Sequence, residues 1–395
     1  MTKDNQTQSI NLMDLLRGNI RQYGMFIALF AIMVIFNILT HGTFVSARNL
    51  TNLYLQCGYI AVLAVGMVLV IIAGHIDLSV GSIAAFTGAI AAIVQVNMHL
   101  PTIPAIIITL IVGCIIGMWQ GFWVAYMRVP AFIVTLAGML VFRGAVIGIT
   151  HGQTIGPFHA SFNAISVGYL QDIAKIPHFH VLSVIIGVLA VVAYIFSEMR
   201  TRKTRRTYGF EVLPGMYFAG KMFLVSALIM MFTFSMALYK GIPYTVFIVV
   251  FFVGLYTFIA TKTPIGRHVY AIGGNLEAAR LSGINTKKTL FLVFTSMGTL
   301  AALSGIIYSA RLNSAAPSAG NLFELDAIAA SFIGGASASG GIGSVIGAII
   351  GALVMASINN GMSLLNTDIS YQYVIKGLVL LLAVWFDIWT RNKTK

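Results

Sequence analysis

The sequence is poor in charged residues, above all acidic ones, and in cysteine. Only 9% of its 395 residues are charged and 11 are Asp or Glu, whereas 58% are hydrophobic. A soluble domain carries about a quarter charged residues, so this chain cannot cover a water-facing surface and is predicted to be an integral membrane protein. Its two cysteines, Cys57 and Cys114, lie in or beside apolar segments, which excludes a disulfide framework.

The sequence contains many long runs of apolar residues. They are about 17–22 residues long, the length of a helix that crosses hydrocarbon, and we find none of the short alternating segments of a membrane barrel. Residues 1–20 are polar to amphipathic and show no cleavable signal pattern. We predict an all-α polytopic helix bundle of about 10–12 transmembrane helices. The candidate spans are 24–40, 58–74, 80–97, 103–124, 131–150, 180–197, 221–239, 244–261, 289–310, 325–338, 344–362 and 371–388. The span at 325–338 is short and Gly-rich and is either broken or re-entrant.

The net charge of +13 does not indicate nucleic-acid binding, because the basic residues lie between the spans. If the N-terminus is inside, most of them fall in cytoplasmic segments, including the run RTRKTRR at 200–206. The exceptions on the outer side are Arg48, Lys175, Lys240 and Arg311. This asymmetry predicts that both termini are cytoplasmic.

The chain is expected to form one transmembrane domain over 1–395 with two internally related halves. The segments HIDLSVGSIAAFTGAIAA, from His75, and FELDAIAASFIGGASASGG, from Phe323, each place an Asp at the mouth of a small-residue helix. We assign the first half to about 20–175, an inserted pair of spans to about 176–243, and the second half to about 244–390. A cytoplasmic loop is expected at about 262–288.

Four acidic or hydroxyl residues adjoin these helices. Placing a carboxylate beside a membrane span costs free energy, so such residues are functional candidates. Asp77 and Ser79 either cap the helix that starts near Val80 or contact a substrate. Glu324 and Asp326 either cap the next such helix or line an outward-facing mouth.

The densest small-residue run begins at Gly334. In it Gly343, Gly347 and Gly351 recur at helical spacing, which favours tight helix packing within the chain or between two copies. The pair Asn359-Asn360 follows, and its amides either bind sugar hydroxyls or end a helix before Gly361.

The sequence contains no catalytic arrangement and no metal-ligand spacing. Its closest match to a phosphate-binding loop, residues 215–222, lacks the hydroxyl residue after Lys221 that would hold magnesium. We therefore predict that the chain is not an enzyme and carries no cofactor of its own.

A polar segment between two spans reads Glu277-Ala278-Ala279-Arg280-Leu281-Ser282-Gly283. Ala and Glu favour helix, and Gly283 can take the left-handed conformation that ends it. Such a short helix on the cytoplasmic face is suited to docking into a soluble partner.

This Glu-Ala-Ala-x-x-x-Gly segment resembles the coupling motif of bacterial ABC importer permeases. GHIDLSVGS, VPAFIVTLAGMLVFRG, YAIGGNLEAARLSGIN and ELDAIAASFIGGASASGGIGS are similar to the sugar permeases of the ribose/xylose/galactose class. The resemblance runs from about Asn49 to Asp387. The inserted pair of spans also occurs in xylose and multiple-monosaccharide permeases, and TIGPF and RLNSAAPSAG look closer to the latter branch.

The resemblance implies a bacterial inner-membrane permease that imports monosaccharides such as xylose, glucose, galactose or arabinose by alternating access. It implies three partners: a second permease copy, an ATPase with two fused nucleotide-binding halves that holds ATP and Mg, and a periplasmic or lipid-anchored sugar-binding protein. The implied ATPase-coupling residues are Glu277, Ala278, Ala279, Arg280 and Gly283. The translocation-path candidates are Asp77, Ser79, Asn313, Glu324, Asp326, Asn359 and Asn360.

Two other functions remain open at this point. An ion-coupled secondary transporter would use Asp77, Glu324 and Asp326 to carry protons or sodium. A structural or receptor-like membrane subunit would have no transport role.

Overall fold

The computed structural model describes residues 20–174, 176–177, 179–210 and 212–392, and this part of the chain is almost entirely helical. The helices are α1 (Ile20–Leu39), α2 (Ala47–Ile72), α3 (Val80–Ala92), α4 (Thr102–Ala125), α5 (Ala131–Thr150), α6 (Ala160–Val167), α7 (Val181–Thr207), α8 (Gly215–Ala237), α9 (Tyr244–Lys262), α10 (Pro264–Gly274), α11 (Leu276–Leu281), α12 (Thr286–Leu312), α13 (Phe323–Ile333), α14 (Val345–Leu364) and α15 (Ile369–Asn392). A π-helical turn, Ile93–Asn97, extends α3.

Ten of the described helices are long and apolar enough to cross a membrane, and α1 contributes a shorter apolar helix, Gly24–Leu39. The predicted polytopic helix bundle is therefore confirmed. The segment predicted at 325–338 to be broken or re-entrant is short, because α13 has only 11 residues and the chain then turns over 334–344. Residues 1–19, Lys175 and the last three residues lie outside the described residues.

The helices run alternately between two ends of the bundle. At one end the backbone N–H of His180 donates to the carbonyl of Ala237 at 2.8 Å, which joins the start of α7 to the end of α8. The basic run 200–206 and the short helices α10 and α11 lie at the other end. We call this the cytoplasmic end, following the charge asymmetry, and its opposite the outer end.

Helix α2 occupies the centre of the bundle. In its most apolar stretch 94% of the residues are buried, whereas the corresponding figure is 11% for each of α7, α8 and α9. Helix α7 packs mainly on α8, and α8 packs on α2. The hairpin formed by α7 and α8 is therefore peripheral, with most of its apolar surface free to face lipid.

Small residues allow α4 and α12 to pack closely along their lengths. A Cβ added to Gly117 would lie 2.6 Å from the carbonyl oxygen of Phe294, and one added to Gly298 would lie 2.5 Å from that of Gly113. These distances are too short for any side chain, so backbone meets backbone at this interface. Close backbone approach is the means by which membrane helices gain van der Waals contact.

The glycine face found in the sequence packs inside the chain. A Cβ on Gly347 or Gly351 would overlap the carbonyl of Gly334 or Ala330, so α14 lies directly against α13. Gly343 does not belong to this face, because α14 begins only at Val345, after its N-cap Ser344. The hydroxyl of Ser344 accepts from the N–H of Gly347 at 3.0 Å and fixes that start.

We expect Gly298→Ala to lower the free energy of unfolding by about 1–3 kcal/mol, since the added methyl group would push α12 away from α4. Gly144→Ala on α5 is the matched control, because a Cβ there meets nothing within 4 Å. Thermal denaturation of the two purified variants measures the difference. Equal transition temperatures would contradict the close packing described for Gly298.

Candidate functional site

The first feature of the site is a break between α2 and α3. After Gly74, whose φ is +84°, the chain runs without helical structure to Val80. Asp77 is fully buried in this segment. Its Oδ1 accepts from the N–H of Ser79 at 2.8 Å and from the Ser79 hydroxyl at 2.5 Å.

The capping hypothesis for this helix start is wrong for Ser79. Ser79 is the N-cap residue of α3, but its side chain accepts no hydrogen bond from the first turn. Its hydroxyl donates to Asp77 and accepts from the Gln120 amide at 2.7 Å instead. The second oxygen of Asp77 and the amide oxygen of Gln120 are both buried without a hydrogen-bond partner. Two free acceptors therefore lie beside the start of α3.

The second feature is a matching break between α12 and α13. Asn313, Gly320 and Leu322 all have positive φ, at 57°, 70° and 63°, so the chain changes direction repeatedly before α13 begins. A Cβ on Gly81 would overlap both the Gly320 carbonyl and the Glu324 carboxylate. The starts of α3 and α13 are thus in direct contact. The N-termini of two helices, which carry partial positive charge, meet inside the bundle.

Arg143 on α5 holds the second break in place. Its guanidinium donates to the carbonyl oxygens of Pro317 at 3.1 Å and Ala319 at 2.7 Å. It also interacts electrostatically with Glu324. Glu324 is buried, and its Oε2 has no hydrogen-bond partner. Like Asp77, Glu324 presents a free carboxylate oxygen at the meeting point of the two helices.

Asp326 is differently placed from Glu324. Its Oδ2 accepts from the Lys376 ammonium at 3.0 Å and from the Asn359 amide at 3.2 Å. The Asp326 side chain is 1% exposed and that of Lys376 is 13% exposed. Three helices, α13, α14 and α15, are therefore joined by one buried ion pair and one amide.

Two further predicted polar residues, Asn313 and Asn360, form hydrogen bonds between distant segments of the chain. The Asn313 side-chain oxygen accepts from the Phe158 N–H at 2.9 Å and from the Asn163 amide at 2.7 Å. Asn360 exchanges amide hydrogen bonds with Asn49 at 2.8 and 3.2 Å. The proposal that Asn359-Asn360 ends a helix before Gly361 is wrong, since α14 continues to Leu364. The amide of Asn360 is satisfied by α2 and does not compete with the backbone of α14.

The third feature is the short helix α11 at the cytoplasmic end. Its N-cap is Asn275, whose side-chain oxygen accepts from the Ala278 N–H at 2.9 Å. Gly283 follows with φ of +82°, the left-handed conformation that the sequence predicted. An N-cap amide and a terminal glycine therefore limit the helix to six residues, Leu276–Leu281.

The predicted coupling residues do not all face the same way. Glu277 and Arg280 form an exposed ion pair at 2.8 Å, and Ala278 is exposed, but Ala279 is 4% exposed and packs against the body of the protein. Leu281 is 83% exposed although it is apolar. The free surface of α11 thus presents a charged pair together with a leucine.

Helix α10 is attached to the end of α2, where the first break begins, and to the turn that follows α13. A Cβ on Gly273, in α10, would overlap the carbonyl of Ile72 at the end of α2. That carbonyl accepts from the N–H of Gly341 at 2.8 Å, and the Tyr270 hydroxyl donates to the carbonyl of Gly343 at 2.8 Å. The turn after α2 and the turn after α13 therefore meet at this support.

A cavity of about 640 Å³ separates α11 from the first break. Its lining includes Gly74, His75, Arg128, Glu277, Arg280 and Lys287. The coupling pair and the entrance to the Asp77 segment thus open into the same space. Over the described residues no group of three His, Cys, Asp or Glu could hold a metal ion.

Sequence reasoning missed four residues of this arrangement: Gln120, Arg143, Lys376 and Leu281. A signal existed for two of them. Arg143 and Lys376 are basic residues in or at the edge of apolar spans, where charges are normally paired. Arg143 interacts with Glu324 and Lys376 with Asp326, both of which lie in α13. Nothing in the sequence marks Gln120 or the direction in which Leu281 points.

Comparison with known proteins places the chain among transport permeases. The model of the family described as branched-chain amino acid transport system / permease component matches residues 49–205 and 160–384. The xylose transport system permease protein XylH of Haemophilus influenzae is 46% identical over 377 residues, covering 95% of this chain and 98% of the relative.

Two further relatives agree with this match. XylH of Escherichia coli K12 is 44% identical over 376 residues, with 95% and 94% of the two chains covered. The ribose import permease protein RbsC of the same strain is 36% identical over 363 residues, with 91% and 92% covered. No solved structure matches the chain significantly. With a family match along most of its length and relatives of nearly equal extent, the chain belongs to this family of transport-system permease components and is a multi-pass inner-membrane protein.

Proposed function

We propose that this chain is the membrane-spanning subunit of an ATP-driven importer that carries monosaccharides inward by alternating access. The observation that carries the proposal is the attachment of α10, which directly precedes α11, to the turns that follow α2 and α13. A partner that moves α11 would move both turns together. The similarity to xylose and ribose permeases supports a monosaccharide as the substrate.

The energy source in this proposal is ATP hydrolysis by a separate ATPase, which binds α11 and holds the ATP and magnesium. The ion pair of Glu277 and Arg280 on α11 lies beside the exposed Leu281. A docking partner therefore finds both charged groups and an apolar side chain there. Closure of the ATPase displaces the two α11 helices of a permease dimer. A conformational change follows only if the partner binds the inward and outward states with different affinity.

The translocation path in this proposal passes the meeting point of α3 and α13. Asp77 and Glu324 have free carboxylate oxygens there, and Ser79 and Gln120 add polar groups, so hydroxyls of a passing sugar would find acceptors. A sugar-binding protein delivers the substrate at the outer end. Asp326 is paired inside the protein, which supports a positioning role for it rather than contact with the sugar.

An ion-coupled transporter is less well supported. One of the three acidic residues that it would use, Asp326, is already paired with Lys376, and the family and relatives are permease components of transport systems. A purely structural subunit is not supported by those relatives either.

Reconstitution tests the proposal. The chain is placed in vesicles with its ATPase and sugar-binding protein, and uptake of labelled xylose is measured. We expect uptake to require ATP together with both partners. Uptake driven by a proton or sodium gradient, with the ATPase absent, would contradict the assignment as a subunit of an ATP-driven importer.

We expect Leu281→Asn to weaken association of the ATPase with the permease at least tenfold, roughly the effect of removing an apolar anchor from an interface. Folding should be unaffected because the side chain is 83% exposed. Tyr208→Asn is the control, since Tyr208 is 74% exposed in the turn between α7 and α8. Copurification with the tagged ATPase gives the ratio, and equal retention of both variants would contradict docking at α11.

The ion pair predicts a double-mutant result. Lys376→Met leaves the Asp326 carboxylate buried with one amide partner, so we expect a loss of about 3–5 kcal/mol in unfolding free energy. Adding Asp326→Asn should restore most of the stability, because the unpaired charge is gone.

Uptake by the stable double variant separates positioning from substrate contact. We expect it to retain most of the wild-type rate. A double variant that is stable but transports nothing would show that Asp326 acts on the sugar itself.

A further inference from the structure

The cytoplasmic end of the α7–α8 hairpin carries a cluster that the transport mechanism does not use. Residues 198–221 contain six Lys or Arg and two Glu. Three of these cations, Arg202, Lys203 and Arg206, line one groove of about 450 Å³ together with Met199, Thr207 and Phe218. Arg200 and Arg205 lie on the same helix but outside the groove.

The groove has a defined floor. The Arg202 guanidinium carbon lies 4.3 Å from the centre of the Phe218 ring, so the cation stacks on an aromatic face. Stacking leaves the N–H groups of the guanidinium free at its edge. Arg202 Nη1 is shielded from solvent and has no hydrogen-bond partner. A buried donor without an acceptor is the feature that a bound anion would satisfy.

The position of the groove matches the depth of lipid head groups. The apolar part of α7 ends at Glu198, which forms an ion pair with Lys221 of α8 at 2.7 Å. Arg202 follows four residues, or about 6 Å, later along the helix. The polar layer on each side of the hydrocarbon is about 5–7 Å thick. Because side chains tilt toward the N-terminus of their helix, those on this end of α7 point back toward the membrane.

The other candidate for the occupant, an acidic surface of a protein partner, fits less well. The hairpin packs on α2, and its extensive contacts do not include α10, α11 or α12, so the groove lies away from the support on which α11 sits. Its apolar residues, Met199 and Phe218, adjoin the lipid-facing surface of the hairpin. Charge asymmetry alone requires basic residues at this end but not three of them around one aromatic ring.

We propose that this groove binds the phosphate head group of an anionic phospholipid from the cytoplasmic leaflet. Arg202, Lys203 and Arg206 would hold the phosphate, and the acyl chains would lie along the apolar surface of α7 and α8. Basic pockets between membrane helices at the cytoplasmic side are a recognised physical basis for such binding.

Native mass spectrometry of the full-length permease tests this site with dioleoyl phosphatidylglycerol, using dioleoyl phosphatidylcholine as the neutral lipid. One variant combines Arg202→Gln and Arg206→Gln. Its matched control combines Arg200→Gln and Arg205→Gln, which removes the same charge from the same helix outside the groove. Both variants must show the wild-type elution profile and melting temperature.

We expect the groove variant to bind phosphatidylglycerol at least tenfold more weakly than wild type. The control variant should change by less than twofold. The wild-type protein should show no preference for the neutral phosphatidylcholine. Equal losses in both variants would mean diffuse attraction and would overturn the site. Displacement of the lipid by millimolar inorganic phosphate would reassign it to free phosphate. Unchanged lipid binding with loss of ATPase copurification would reassign it to a protein partner.

Discussion

Peptide groups that lie inside the bundle but outside regular helices are the constraint on which this structure depends. Hydrocarbon offers them no water, so such segments survive only where protein surrounds them and supplies hydrogen bonds. Asp77 accepts from the backbone of the first break, and Arg143 donates to two carbonyls of the second. The glycine contacts of α3, α4, α12 and α14 bring the neighbouring backbones close enough to exclude lipid.

The two breaks share an arrangement that links the polar core to the cytoplasmic end. In each, a helix begins inside the bundle with a carboxylate beside its first turn. The end of α2, at Ile72, and the turn after α13, at Gly341 and Gly343, meet at the support formed by α10. In the proposed mechanism, displacement of that support would reach Asp77 through the turn after α2 and Glu324 through α13.

Much of this organisation could be predicted from the sequence, for reasons that differ between elements. The spans follow from composition, and α11 follows from one helix-favouring segment with Gly283 after it. The continuation of α14 past Asn360 could not be predicted, because Asn360 is satisfied by Asn49, more than 300 residues away in the chain. The same holds for Ser79, whose hydroxyl is engaged by Gln120 rather than by its own helix. The hydrogen-bond partners of Asn360 and Ser79 depend on which residues the fold brings close to them.

The brevity of α11 has an energetic consequence. A six-residue helix is unstable in isolation because nucleation fixes several residues for each hydrogen bond gained. Here Asn275 and Gly283 fix its ends and buried Ala279 anchors it, so its conformational entropy is lost when the permease folds. A partner that binds it meets an ordered surface and need not order it, which favours tight and rapid association through a small contact area.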